Sequence, residues 1–281
     1  MKDFSPAKIS KQEIGIIGSG IMGQQLAQFL LIRKSKVLIK TRNLHKTGSI
    51  YKNIKTYFLK RQLNLKYLAN LEVTDKWGNL KDCELIIECT PENHYLKQNV
   101  FTKLGAIGAE KSIIATNTSS FTLASFKFIN SIRSRVIGLH FFNPVEKLDL
   151  VELLLTPDTA EWVTSKVKKF LKQIKKIPIL VKDTPGFIVN RLLFTQINDA
   201  AYMVDENLAS VKDVDQALKI GLNHPLGPFE IADLVGVDTT YRVITNLHNQ
   251  LNTRGPAKIF RKLINQGRLG KKTGYGFYKY K

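Results

Sequence analysis

Two rhythms of apolar and polar positions alternate along this chain. Short runs rich in β-branched and apolar residues stand at Glu13–Ile17, Lys36–Lys40, Leu85–Cys89, Ile113–Ala115 and Arg135–Leu139, and each reads as a buried strand. Helical spacing takes over between them. Gln24–Ile32 places Leu26, Phe29 and Leu30 on one face, residues 43–71 are Lys- and Tyr-rich and read as helical, and a further helix is expected after Asn93, to about Leu104. A second apolar run, Leu148–Leu155, follows Arg135–Leu139 closely. Thr159–Lys175 is amphipathic, with Val163, Val167, Phe170, Leu171 and Ile174 as its apolar stripe, and Pro178–Lys182 reads as the last strand.

Asp183-Thr184-Pro185-Gly186 breaks this alternation, and everything beyond it reads as helix: Phe187–Met203, Val211–Ile220 and Phe229–Leu251. The expected class is therefore α/β, a Rossmann-like dinucleotide-binding domain over residues 1–182 followed by an all-helical domain over residues 183–281. Apolar surface on that helical part is expected to serve dimerisation. The tail GRLGKKTGYGFYKYK mixes glycines with aromatics and is expected to be ordered.

Composition changes this picture little. Hydrophobic residues make up 43% and charged residues 23% of the 281, ordinary values for a globular chain. The formal charge of +20 is not ordinary and invites polyanionic partners. Its lysines are spread over the whole length, without a basic block or interleaved aromatics, so a solvated surface is favoured over nucleic-acid binding. Lys166, Lys168, Lys169, Lys172, Lys175 and Lys176 lie mainly off the apolar stripe of their helix, as a solvated face or a docking face for a carrier. Cys83 and Cys89, on one expected strand, cannot easily bridge, and no His/Cys set has metal-ligand spacing. A reducing, cytoplasmic setting is expected. Met1–Gln12 lacks an apolar signal core, and no run approaches the ~18 apolar residues of a membrane span.

Candidate chemistry begins with Gly18-Ser19-Gly20-Ile21-Met22-Gly23, which follows a strand and opens a helix. In that context Gly18 suits a tight turn, Gly20 a close approach of backbone to a pyrophosphate, and Gly23 close helix–strand packing; the helix N-terminus faces the phosphates. Gly18, Gly20, Ile21, Met22 and Gly23 are thus expected cofactor contacts. An NAD enzyme carries Asp or Glu at the end of the second strand for the ribose 2′-hydroxyl. This chain has Lys40-Thr41-Arg42 there. Arg suits bidentate contact with phosphate, so Thr41 and Arg42 favour NADP(H), while NAD(H) stays open if Arg42 is merely solvated.

Three successive strands end in polar clusters, CTPEN, TNTSS and HFFNP, which in an open parallel sheet converge on the glycine loop's side. Asn117, in the second cluster, is counted with the cofactor contacts. Arg135–Leu139 is expected to stop at His140, with Pro144 unable to continue a ladder. Glu152 sits among Leu150, Val151, Leu153, Leu154 and Leu155, and a charge placed there needs a partner. His140 is either an ordinary hydrogen-bonded histidine or that partner, in which case Glu152 fixes its tautomer and makes it an acid–base group.

Taken together, GSGIMG, NTSS, RVIGLHFFNPVEKLDLVELL, DTPGFIVNR, NHPLGPFEIADLVGVD and GRLGKKTGYGFY resemble, in order and spacing, the L-3-hydroxyacyl-CoA dehydrogenase family, over nearly the whole chain. The resemblance implies a Rossmann-like domain followed by a helical dimerising domain, with acyl-CoA bound in the cleft between them. It implies His140 and Glu152 as the catalytic pair and Ser119 and Asn190 as hydrogen-bonding partners of the reacting oxygen. Asn143 is implied on the substrate side, and Glu92 and Lys97 on the cofactor side. Residues 43–84 read as shorter than the matching segment of bacterial members, which leaves room for an acyl carrier protein in place of CoA. An NADP-binding scaffold without catalysis is the competing class, and it has no need for that residue set.

Overall fold

Eight strands of the computed structural model form one sheet: β1 (Glu13–Ile17), β2 (Lys36–Lys40), β3 (Leu71–Thr74), β4 (Leu85–Glu88), β5 (Ile113–Thr116), β6 (Val136–Phe141), β7 (Leu150–Leu155) and β8 (Ile177–Lys182). Residues 13–128 and 130–280 are described; the expected lack of a signal core at Met1–Gln12 lies outside them. The strand order is β3-β2-β1-β4-β5-β6-β7-β8. Strands β1 to β6 run parallel, β7 runs antiparallel to β6, and β8 runs parallel to β7. Helices α1 (Ile21–Ile32), α2 (Thr47–Lys60), α3 (His94–Ala106), α4 (Asn130–Arg133) and α5 (Glu161–Gln173) complete a first unit that ends at Thr184. Buried apolar residues of α1, α2 and α5 pack with alternate strand residues from β1 to β7 into one core.

The second unit begins at Pro185 and is helical: α6 (Val189–Asp205), α7 (Val211–Gly221), α8 (Pro228–Val235), α9 (Val237–Leu251) and α10 (Lys258–Asn265). The segment 229–251 is two helices rather than one, because Gly236 has φ +104 and ends α8. Helix α10 and strand β3 have no counterpart in the pattern reading. Strand β3 is only four residues long, and α10 follows a non-helical stretch, so neither offers a long periodic run. Two buried carboxylates hold the aromatic tail. Asp233 accepts from the backbone N–H of Phe277 and Tyr278 and from the Tyr280 hydroxyl, at 2.8, 2.9 and 2.9 Å. Asp215 accepts from Phe229 N–H at 2.9 Å, which caps α8, and from the Tyr278 hydroxyl at 2.8 Å.

The β6–β7 pair departs from expectation in a way that matters. Strand β6 runs on through His140 and Phe141 instead of stopping at Leu139. Its antiparallel partner extends that far, and the Asn117 side chain accepts the Phe141 N–H at 2.9 Å, so the last backbone donor is satisfied. The turn then follows, with a cis bond between Asn143 and Pro144. The register sets Gly138 opposite Leu154, Leu139 opposite Leu153, His140 opposite Glu152 and Phe141 opposite Val151. Leu139, Phe141, Val151 and Leu153 join the main core, so by the two-residue alternation of strands His140, Glu152, Gly138 and Leu154 share the other face. A Cβ on Gly138 would collide first with the Leu154 Cδ1, which an alanine at 154 lacks, and would also stand 2.8 Å from the Leu154 Cβ.

That packing yields a testable consequence. Gly138→Ala is expected to destabilise the fold by about 1–3 kcal/mol through overpacking. In urea denaturation, Gly138→Ala combined with Leu154→Ala should lose at least ~1 kcal/mol less than the sum of the single changes. Strictly additive losses would contradict the contact.

Candidate active site

The first-unit part of the site gathers at the C-terminal ends of β1, β2, β4, β5 and β6, with Glu152 added by β7 and Lys97 by α3. A cleft of ≈ 1160 Å³ opens there, lined by Gly18–Met22, Thr41 and Arg42 beyond β2, Cys89–Glu92 beyond β4, and Asn117 and Ser119 beyond β5. The glycine loop fits a dinucleotide pyrophosphate. Gly18 has φ +113, and a Cβ on it would meet the Cys89 carbonyl oxygen at 2.6 Å; a Cβ on Gly23 would collide with the Gly18 carbonyl oxygen. Gly20 is different: nothing stands within 4 Å of its Cβ position, so space is left open beside the first turn of α1. That turn has no side-chain cap and no acidic residue, and the leading N–H groups of a helix are suited to an anion.

His140 is 4% exposed and Glu152 is wholly buried. The imidazole Nδ1 lies 2.6 Å from Glu152 Oε2, and Nε2 lies 3.1 Å from Ser119 Oγ. A carboxylate only accepts, so Nδ1 carries the hydrogen; in the neutral ring Nε2 is then the acceptor of the Ser119 hydroxyl. The Phe142 ring packs against the imidazole with centroids 4.5 Å apart. Ser119 lines the cleft, and so connects it to the buried pair.

A second buried charge cluster fixes the loop that carries Ser119. Glu88, fully buried at the end of β4, accepts from Lys97 Nζ at 2.9 and 3.1 Å, from Thr116 Oγ1 and Thr90 N–H at 2.6 Å each, and from the Thr90 hydroxyl. Lys97, 1% exposed, also reaches Glu92 Oε2 at 3.4 Å. Glu92 in turn accepts from the backbone N–H of Ser119 and Ser120 at 3.1 and 2.9 Å and from the hydroxyls of Thr118 and Ser120. Against burial, the carboxylates of Glu88 and Glu92 hold the Lys97 ammonium above its ordinary pKa. Against burial again, Lys97 and the Thr118 and Ser120 hydrogen bonds hold the Glu92 carboxyl below its ordinary range. Both groups are therefore kept charged.

Other expected residues are placed less directly. Asn143 bonds to Gln25 of α1, with the Gln25 amide donating to Asn143 Oδ1 at 2.9 Å while its own oxygen accepts the Val145 N–H at 3.1 Å. Thr41 is buried, its Oγ1 3.3 Å from Ser19 Oγ, and Arg42 is exposed at the cleft. Asn190 belongs to the second unit, on the first turn of α6. Glu88, Gln25, Trp77 and Lys103 escaped the pattern reading, and Lys40 entered it only within Lys40-Thr41-Arg42. A lone acid inside the apolar run LIIEC was a legible signal for Glu88, of the same kind that singled out Glu152. Among the described residues no group of three or more His, Cys, Asp or Glu is arranged to hold a metal, and no helix is long and apolar enough to cross a membrane.

Comparison with known proteins matches this arrangement along the chain. Residues 13–184 match the family model described as 3-hydroxyacyl-CoA dehydrogenase, NAD binding domain, and residues 186–280 match 3-hydroxyacyl-CoA dehydrogenase, C-terminal domain. The human mitochondrial hydroxyacyl-coenzyme A dehydrogenase is 34% identical over 297 residues, covering 99% of this chain and 94% of that protein. The 3-hydroxybutyryl-CoA dehydrogenase of Clostridioides difficile is 33% identical, covering 95% of this chain and 99% of that protein. The crystal structure of (S)-3-hydroxybutyryl-CoA dehydrogenase from Ralstonia eutropha superposes with a TM-score of 0.86 at 33% identity, covering 97% of this chain and all of that one. The chain belongs to the 3-hydroxyacyl-CoA dehydrogenase family.

Proposed function

We propose that His140 and Glu152 are the acid–base centre of a dehydrogenase that interconverts 3-hydroxyacyl-CoA and 3-oxoacyl-CoA. The observation that carries this reading is the buried 2.6 Å pair whose other ring nitrogen meets Ser119 at the cleft. In the oxidising direction His140 Nε2 takes the proton of the C3 hydroxyl. Glu152 stabilises the resulting imidazolium and keeps Nδ1 from competing for the substrate proton. In the reducing direction the same Nε2–H returns the proton to the developing alkoxide. Ser119 Oγ, already within hydrogen-bond reach of Nε2, is placed to hold the reacting oxygen beside the base. Asn190 is the second donor that the motif match implies, and Asn143 the substrate-side amide.

Gly18, Gly20, Ile21, Met22 and Gly23 would hold the pyrophosphate of a nicotinamide dinucleotide, with Glu92, Lys97 and Asn117 on its nicotinamide side. When bound, that cofactor supplies the hydride acceptor for C3 in oxidation and the hydride donor in reduction. NADP(H) is favoured over NAD(H), because a donor-only cation, Arg42, follows the buried Thr41 where a carboxylate would accept from a ribose hydroxyl. The acyl group is carried as a CoA thioester; the carrier-protein alternative has the basic surface and the short 43–84 segment in its favour. Exposed apolar residues of the helical unit, among them Leu192, Leu208, Ile220 and Leu222, support a homodimer through that unit. Two free cysteines, with Cys83 buried, suit a reducing compartment such as the cytoplasm.

Two measurements test this. With acetoacetyl-CoA as substrate, His140→Ala should lower kcat at least about a hundredfold, the range of a lost acid–base group, while cofactor binding persists. Near-normal turnover would remove the assignment. With the same substrate, kcat/KM should be at least about tenfold higher with NADPH than with NADH, the effect of roughly 1.4 kcal/mol of differential binding. A tenfold lower KM for NADH would reverse the cofactor preference.

A further inference from the structure

Beyond β2 the cleft carries cations that make no ion pair among the described residues. Lys40, the last residue of β2, is only 6% exposed. Its Nζ donates to the Thr41 carbonyl at 3.1 Å and stands 4.5 Å from the centroid of the Trp77 ring. Lys103, near the end of α3, brings a second ammonium to 5.2 Å from the same centroid. Lys40, Trp77 and Lys103 line the cleft together with Arg42 and Lys46. Among the described residues, none of these four cations has a carboxylate oxygen within 4.0 Å. Burial, and then repulsion from Lys103, pulls the Lys40 ammonium below its ordinary pKa; Asp75 opposes this only from beyond ion-pair distance.

Two ammonium groups over one indole repel each other, and cation–π attraction of about 0.5–2 kcal/mol each offsets that only in part. The arrangement is costly in the free protein and is relieved by an anion bound in the cleft that both side chains line. Lysines act as point-charge donors to phosphate, and charge-assisted hydrogen bonds of this kind are about twice as strong as neutral ones. A ribose hydroxyl would leave the cations unpaired. The ligand class is therefore a phosphomonoester on an adenosine ribose, which occurs as the 2′-phosphate of NADP and the 3′-phosphate of CoA. We propose that Lys40 and Lys103, held over Trp77, form a phosphomonoester subsite for the ribose 2′-phosphate, with Arg42 at its exposed rim. The proposal rests on the nucleotide-binding reading of the cleft and names the side chains that would set its cofactor preference. Continuity with the glycine loop in a single cleft favours the 2′-phosphate over the 3′-phosphate.

Isothermal titration of the full-length protein at low ionic strength, with 2′-phospho-ADP-ribose, ADP-ribose and adenosine 3′,5′-bisphosphate, tests this without turnover. The first ligand should bind at least about tenfold tighter than either of the others, as expected for one charge-assisted contact set. Lys103→Gln should reduce that ratio at least about threefold, and Lys103→Glu should abolish it. Lys103 is exposed, so neither change threatens folding. Equal affinity for the first two ligands, an unchanged ratio in Lys103→Gln, or tightest binding of the 3′,5′-bisphosphate would each overturn the subsite and leave the nucleotide cleft standing. Failure of both ADP-ribose ligands to bind would overturn the cleft reading as well.

Discussion

A carboxylate sealed inside an antiparallel strand pair constrains much of this molecule. Glu152 is wholly buried, and removing the partner of a buried charge costs about 3–5 kcal/mol. The imidazole directly across the ladder is that partner. Several less conspicuous features follow from keeping the two opposite each other. Gly138 has no side chain because Leu154 occupies the space, Asn117 supplies the acceptor that carries β6 past His140, and Phe142 covers the ring. A one-residue slip of β7 would turn Glu152 away from the face it shares with His140.

The same logic is repeated on the cofactor side of the cleft. Glu88, Lys97 and Glu92 form a chain of buried and half-buried charges, and its outer member gathers the 118–120 loop by four hydrogen bonds. Ser119 belongs to that loop and reaches His140. The hydroxyl that touches His140 is therefore held by a network whose outer member, Glu92, lines the cleft. Changing one side of this network without disturbing the other is difficult.

Much of this was legible in the amino acids. Strand and helix alternation and the glycine loop follow from periodicity and from Gly punctuation; the expected boundary after Lys182 falls two residues before the end of the first unit at Thr184. Glu152 stood out because a charge inside LVELLL demands a partner, and the register then supplied one. What escaped has physical reasons. The four-residue β3 is too short for a pattern, and the break at Gly236 interrupts an apolar stripe that reads as continuous. Lys40, Trp77 and Lys103 come from three separate elements, and only tertiary structure brings their charges to one ring. The Gln25 contact to Asn143 spans more than a hundred residues and leaves no local trace.

Everything turns on which imidazole nitrogen of His140 bears the hydrogen at rest. Nitrogen-15 NMR of the histidine side chains, assigned with His140→Gln, reports this directly in the free protein at neutral pH. The account predicts the tautomer protonated on Nδ1, with a strongly deshielded proton bonded toward Glu152 that disappears in Glu152→Gln. A ring protonated on Nε2 alone, with the same spectrum in Glu152→Gln, would contradict it.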